Sequence, residues 1–448
     1  MVSSFLGTTV EFYDFLLYGT AASLVFPVLF FKDMPPLAAS FASFGTLAVG
    51  YFARPVGGVL FGHFGDRLGR RRILVITLFV MGTVSFLIGL LPTAQQIGVA
   101  APLILVTLRV VQGLAVGGEW AGAALMSMEH AHESRRGFAA SIVASGGPSG
   151  AVLATIVLTV FSLLPEQQFL SWGWRVPFLL SAVLVVVGLF LRLRVTESPA
   201  FLEAQARAEA EAKARGGASV NAPIIEVLRN HAGSVVTSIL GGLAPLFMQS
   251  ILATFMLTYA VGLGHARTEA LLLVTVANFL HIFTIAGFAA LSDRIGRKPV
   301  MVAGAIAGVV LIWPIFWLVG QGSAWALLAA FVLGNPLVQG MMYGPMAAWV
   351  AEKFPTSARY TGVSVSYQLA TTLGAGLAPL VATALLAAGG GTSPVYIIGL
   401  FAGLCVLAGI VYLTSKETSG AELAHTSNEI TGDERIDLLP ATDSLPRV

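Results

Sequence analysis

Ionisable residues are scarce: Asp, Glu, Lys and Arg together make up 11% of the 448 residues, against roughly a quarter in an average soluble domain. This excludes a water-exposed surface for most of the chain. Cysteine occurs once, as Cys405, which excludes a disulfide within the chain and any Cys-based metal site. Basic residues fall in short clusters between apolar segments rather than along one face, so no nucleic-acid partner is expected. No H-E-x-x-H, nucleophile elbow or phosphate loop occurs, so neither an enzymatic activity nor a cofactor is expected. A cleavable leader is not expected either, because the first apolar run is too long for a signal h-region and lacks a small-residue cleavage site after a basic stretch.

Apolar residues fill the space that charge leaves. They form 56% of the chain, and the mean hydropathy is +0.83. Segments of about 20 such residues suffice to span a bilayer as helices. Twelve can be laid out, at 5–31, 37–61, 73–92, 101–127, 136–164, 173–193, 233–262, 269–292, 299–319, 324–349, 358–386 and 394–414. The fold class is therefore all-α and membrane-embedded. Lys and Arg set the orientation. Arg67, Arg70, Arg71 and Arg72 follow span two, Arg135 and Arg136 follow span four, and Arg294, Arg297 and Lys298 follow span eight. The gaps on the other side hold Lys32 and Arg267, with Arg175 at a span edge. By the positive-inside rule both termini are expected in the cytoplasm.

Four regions follow. Residues 1–194 form one six-helix half and 233–415 the other. Residues 195–232 form a cytoplasmic linker, where "ESPAFLEAQARAEAEAKARGG" favours a solvated helix ended by Gly216 and Gly217. The tail 416–448, with seven acids against three bases, is expected to be disordered. The halves are related by an internal repeat: "GHFGDRLGRRR" from Gly62 and "AALSDRIGRKP" from Ala289 share the order Asp-Arg-x-Gly-Arg-basic, each after the second span of its half.

At these two sites the sequence resembles the major facilitator superfamily, whose signature G-x-x-x-D-R-x-G-R-R is complete in the first copy and has Ala289 for the opening Gly in the second. "RVVQGLAVGGEW" in span four is similar to the family's Arg-x-x-Gln-Gly element. Within the superfamily, "EFYDFLLYG", "RPVGGVLFGHFGDRLGRR", "QGLAVGGEWAGAAL", "SWGWRVPF", "ESPAF" and "FPTSARYTGVSVSYQLATTLGAGLAP" look like the metabolite:proton symporters, which include shikimate, dicarboxylate, 2-oxoglutarate, citrate and proline/betaine carriers. The resemblance implies the major facilitator fold, with two pseudo-symmetric halves around a central cavity in a bacterial inner membrane, and a monomer. It also implies a gate in which Asp66 and Asp293 work with Arg67, Arg70, Arg294 and Arg297 around Gly69 and Gly296. Relatives usually carry a charged N-terminal arm, and here Met1 to Ser4 alone precede the first span, which leaves open a natural start upstream of Met1.

The residues that demand a function are charges inside spans, where an ionised group costs about 2.5 to 3.5 kcal/mol even on the insertion scale. In span one, Glu11, Asp14 and Tyr18 share a helical face. In span four, Arg109, Gln112 and Glu119 form a slowly drifting stripe, and Arg54 lies in span two. Arg54 is expected to pair with Asp14, and Arg109 to be the first candidate for holding a substrate carboxylate. The deep acids Glu11, Asp14 and Glu119 exceed the deep bases by one, and a surplus carboxyl that is neutral when occluded and ionised when wet carries a proton. Two alternatives stay open: Glu11 merely solvated near a helix end, and a structural ion-pair cluster tying the half together. Spans of the second half contain no deep charge. They offer Gln249, Asn278, His281, Asn335, Gln339, Tyr343, Tyr367 and Gln368, read as neutral hydrogen-bonding groups for a substrate, with helix-to-helix bonding as the alternative.

The reading that unites these residues is uptake of a small carboxylate or zwitterion by alternating access, driven by proton influx, with the substrate, protons and the lipid bilayer as partners. Two rivals remain at this stage. One is an exporter working by proton antiport, suggested by "SGGPSG" from Ser145 to Gly150; the other is a nutrient sensor that binds without transporting.

Overall fold

In the computed structural model, the chain is described over residues 2–68, 70–117, 135–193, 229–355 and 359–418, with isolated positions 124, 125, 127, 128, 131 and 227. The expected linker helix and nearly all of the tail lie outside the described residues, as do Gly69 and Glu119. The side chains of Asp66, Arg67 and Arg70 are likewise outside the description, although their backbones are helical.

Twelve helices occupy the twelve apolar segments. The first half contains α1 (Val2–Leu24), α2 (Pro36–Leu68), α3 (Arg70–Leu90), α4 (Ala100–Val116), α5 (Arg136–Ser162) and α6 (Arg175–Leu193). The second contains α7 (Ala232–Gly262), α8 (Arg267–Ile295), α9 (Arg297–Val319), α10 (Ala324–Ala351), α11 (Arg359–Ala388) and α12 (Val395–Thr414). Among the described residues, nine of these are long and apolar enough to cross a membrane by length and composition. Of the rest, α3 and α4 enter as shorter apolar stretches, Val75–Leu90 and Ala100–Val116, and α1 carries Glu11 and Asp14. The first segment is not one helix through residue 31. It breaks at Val25 and resumes as a short turn, Phe26–Phe30, because Pro27 lacks the N–H that a continuing helix needs and is tolerated in a first turn.

The packing repeats between halves. Helix α1 lies on α5 as α7 lies on α11; α2 on α4 as α8 on α10; α3 on α6 as α9 on α12. Across the halves, α5 meets α8 and α2 meets α11. Small residues make these approaches close. A Cβ at Gly57 of α2 would lie 1.9 Å from the Leu114 carbonyl oxygen of α4, and one at Gly150 of α5 would lie 2.6 Å from backbone atoms of α1. With lipid on the outside, such close contact supplies the van der Waals and hydrogen-bonding energy that hydrophobic burial supplies in water.

Three second-half helices widen into π-turns: Ile251–Phe255 in α7, Leu333–Gln339 in α10 and Thr372–Gly376 in α11. The α10 turn contains Gly334 and Pro336, which weaken the regular ladder. Hydroxyls cover carbonyls near the wide turns. Thr254 Oγ1 donates to the Ser250 carbonyl at 2.6 Å and Thr371 Oγ1 to that of Tyr367 at 2.6 Å, while Ser250 Oγ crosses to the Ala375 carbonyl at 2.6 Å. Every backbone polar group in a membrane must find such a partner.

Gly57→Ala should destabilise the first half by about 1–3 kcal/mol, the usual cost of overpacking, because the obstacle is backbone that cannot rotate away. A thermal unfolding midpoint in detergent equal to that of the unsubstituted protein would refute this reading of the α2–α4 contact.

Candidate functional site

The intramembrane charges converge on α1. Asp14, Glu11, Arg54 and Arg109 are all at most 5% exposed. Arg109 Nη1 donates to Gln112 Oε1 at 2.5 Å, and Gln112 Nε2 donates to Ser85 Oγ of α3 at 2.8 Å. The Ser85 hydroxyl also faces the Asp14 carboxyl, whose Oδ1 accepts from Ser181 Oγ of α6. A polar chain therefore runs from α4 through α3 to α1 and α6. Asp14 Oδ2 and Arg109 Nε and Nη2 have no hydrogen-bond partner.

The expected Arg54–Asp14 pair does not form. Asp14 is held by serines, and the guanidinium nearest in charge is that of Arg109. The cause is helical geometry: successive residues diverge by about 100°, and Arg54 packs on the neighbouring Phe15 instead. Its Cζ lies 3.9 Å from the Phe15 centroid and 4.6 Å from that of Tyr51. Arg109 Cζ also lies 3.9 Å from Phe15 and 4.1 Å from Tyr18. One ring thus separates two guanidiniums, one on each face, an arrangement that cation–π attraction supports where water is absent. Tyr18 is fixed by its hydroxyl, 2.6 Å from Thr46 Oγ1; Thr46 gives its own proton to the Ser43 carbonyl, so Tyr18 is the donor.

Arg54 borders a cavity between the halves, formed by α1 and α2 on one side and α7 and α11 on the other. With its mouth the cavity holds about 490 Å³ of empty space, of which about 30 Å³ admits the centre of a water molecule, room for about two waters. Phe12, Phe15 and Tyr51 wall the first half, and Gln249, Thr254 and Tyr367 the second. Arg109, Gln112 and Tyr18 sit behind Phe15 and do not line it. Of the second-half residues expected at a site, Gln249 and Tyr367 reach the cavity, and Tyr343 supports Tyr367 through hydroxyls 3.1 Å apart. Asn278, His281, Asn335 and Gln339 form a separate buried group between α8 and α10. There Asn335 Nδ2 donates to Asn278 Oδ1 at 3.1 Å and Gln339 lies beside His281. Gln368 spans the halves, donating to the Gly117 carbonyl at 2.8 Å.

At the end of the bundle that bears the Asp-Arg-x-Gly-Arg motifs, Asp293 reaches from α8 to the first turn of α5. Its carboxylate accepts from the N–H groups of Gly137 at 3.0 Å and Phe138 at 2.8 Å, and from Arg297 Nη1 at 2.6 Å. Unsatisfied N–H groups and the helix dipole favour an anion there. Arg297 also pairs with Glu352 at 3.2 Å. Burial pushes the Glu352 carboxyl above its ordinary range, and the Arg297 charge pulls it back. Glu417, beyond α12, accepts from the N–H groups of Arg297 at 2.9 Å and Lys298 at 3.0 Å, while Thr418 Oγ1 donates to Glu352 at 2.5 Å. Gly296 turns the chain into α9 at φ +100°, with Glu417 where a Cβ would stand. Arg294, expected as a partner in this cluster, is exposed and makes no contact with it among the described residues; it lies one residue past Asp293, on a different face of α8. The equivalent cluster of the first copy, around Asp66, lies outside the description.

Sequence reasoning passed over Phe15, Tyr51, Ser85, Ser181, Glu352 and Glu417. Tyr51 stands three residues before Arg54, one helical turn, and that spacing was a usable signal. Nothing local marks the two serines, which acquire meaning only when α3 and α6 are laid against α1.

A family model described as the Major Facilitator Superfamily matches residues 5–366 and 239–431. The chain is 40% identical over 423 residues to a shikimate transporter of Escherichia coli (strain K12), covering 94% of each. It is 31% identical over 423 residues to a proline/betaine transporter of the same strain, covering 93% of this chain and 83% of that protein. In fold it is similar to a crystal structure of a D-xylose-proton symporter, with a TM-score of 0.72 at 19% identity over 94% of this chain and 98% of that one.

Asp293→Ala should lower the thermal midpoint, since it strips the α5 N–H groups and Arg297 of a charged acceptor at about 1.5–3 kcal/mol per charged bond. Serial unfolding of the purified variant tests this, and an unshifted midpoint would contradict the bridge.

Proposed function

This chain belongs to the major facilitator superfamily, and from that premise we propose that it is a proton-coupled symporter taking up a small carboxylate or zwitterionic metabolite by alternating access. That it is a multi-pass inner-membrane transporter, and not an enzyme, follows from the family and the relatives it matches. The proton coupling rests on one observation: the Asp14 carboxylate, 1% exposed, has one oxygen bound by Ser181 and the other without a partner. A carboxylate so placed gains most from a proton when the bundle is closed. Its link through Ser85 and Gln112 to Arg109, which shares the Phe15 ring with Arg54 of the cavity wall, gives substrate and proton a common structural path. Glu11 and Glu119 remain the other candidates.

In this reading the motif end faces the cytoplasm, as the clustered arginines require, and the chain works as a monomer. Asp293, Arg297, Glu352 and Gly296 form the inner gate, closed in this state. Asp66, Arg67, Gly69 and Arg70 are assigned the matching role in the first half, and Arg294 is not. The glycines of "SGGPSG" serve the α1–α5 contact, which gives the antiport reading no separate support.

Asp14→Asn, reconstituted in liposomes with the E. coli relative's named substrate, shikimate, should abolish substrate-driven proton uptake while retaining substrate counterflow, which moves no net proton. Coupling at the unsubstituted level would refute the role of Asp14.

A further inference from the structure

We infer that the cavity selects a small monocarboxylate whose uncharged body carries hydroxyl groups, over both quaternary-ammonium zwitterions and di- or tricarboxylates. The inference rests on reading the cavity as the substrate site. Three features of its wall lead there.

The first is the number of cations. Among the described lining residues Arg54 is the one charged side chain. A single guanidinium fork matches a single carboxylate. A second carboxylate on the same small molecule would meet Phe12, Leu16, Leu47 or Ala253, and burying it without a cation or donors is costly. Arg109 does not supply the second charge, because it lies behind Phe15 with one arm on Gln112.

The second is how the aromatic faces are used. A trimethylammonium group is recognised by open ring faces. Phe15 already has a guanidinium on each face, and Tyr51 carries Arg54 on one face and packs against the Phe15 ring at 4.7 Å in a T-shaped contact. A ligand cation would find the best faces of the first-half wall taken, and would stand beside Arg54.

The third is the direction of the hydrogen bonds opposite. Ser250, Thr254 and Thr371 line the cavity, yet each spends its one proton on a backbone carbonyl: Ser250 on Ala375, Thr254 on Ser250, Thr371 on Tyr367. A hydroxyl whose proton is committed offers only lone pairs. The second-half wall therefore presents acceptors, and a ligand that satisfies it must bring donors without bringing positive charge. Hydroxyl groups on the body of the substrate meet that requirement.

The test is binding to the purified, unsubstituted protein by titration calorimetry, with a panel chosen to vary one feature at a time. The probes are shikimate and gluconate as hydroxylated monocarboxylates, cyclohexanecarboxylate as a ring acid without hydroxyls, glycine betaine as the zwitterion, and 2-oxoglutarate and citrate as polycarboxylates. At least one hydroxylated monocarboxylate should bind tenfold or more tightly than every other member. Arg54→Lys, checked as folded and monodisperse, should weaken that binding tenfold or more, since a point charge replaces the fork. Tighter or equal binding of betaine, citrate, 2-oxoglutarate or cyclohexanecarboxylate overturns the inference, and so does silence of both hydroxylated acids. Proton flux in liposomes is read separately. Betaine-driven proton uptake without shikimate binding would sink the selectivity and leave coupling intact. Shikimate binding without proton movement would do the reverse.

Discussion

A guanidinium inside a membrane-spanning bundle cannot be hydrated, and the arrangement of the first half follows from that constraint. Arg54 and Arg109 sit on the two faces of Phe15, so the ring both screens them from each other and gives each a negative face. Because Phe15 belongs to α1, that helix must lie between α2 and α4, and the two must also approach each other closely, which their glycines permit. A Cβ at Gly50 would stand 2.5 Å from Arg109 Nε, so the space that holds the guanidinium is itself made by a missing side chain. The carboxylates then fill the opposite side of α1, where Asp14 meets Ser181 and Ser85.

The second half solves a different problem with different means. It buries no ion in mid-membrane among its described residues, and its cavity wall is made of hydroxyls and amides on helices loosened into π-turns. A π-turn leaves carbonyls poorly satisfied, and the Ser and Thr hydroxyls that cover them are the same groups that face the cavity. Thr372 Oγ1 shares its proton between the Gln368 carbonyl at 2.8 Å and the Tyr51 carbonyl at 2.9 Å. Tyr51 in turn carries Arg54. Helix irregularity in one half and charge burial in the other therefore meet at a single backbone carbonyl.

The fold was legible in the sequence because a bilayer imposes one coarse rule, a run of about 20 apolar residues per crossing, and the twelve runs became twelve helices. The residues of the candidate site were partly legible. Asp14, Glu11, Arg54 and Arg109 announced themselves as charges in apolar segments, and each proved buried at the core of the first half. Their pairing was not legible, since it depends on the rotation of α1 about its axis, which decides whether Arg54 meets Asp14 or Phe15. The four polar residues Asn278, His281, Asn335 and Gln339 looked like cavity groups and instead bridge α8 and α10. Within a span, sequence cannot tell a residue that faces a cavity from one that faces a neighbouring helix.

Reversible opening places a further demand on the motif end, where ions must not be stranded when the halves part. Asp293 gives two of its hydrogen bonds to α5 in the other half, but a third comes from Arg297 four residues along its own chain. Arg297 in turn keeps Ser292 and Glu352, both in the second half. Separating α8 from α5 thus breaks the two bonds to helix N–H groups, which water can replace at the bundle's end, and leaves every described ion with a charged partner. An acidic residue paired only across the interface would lose its full compensation on opening, at the several kcal/mol that an orphaned buried charge costs. Glu417 repeats the device on α9, taking the N–H groups of Arg297 and Lys298. The helix N-terminus that follows Gly296 is satisfied from within the second half, so it stays capped whichever way the halves move.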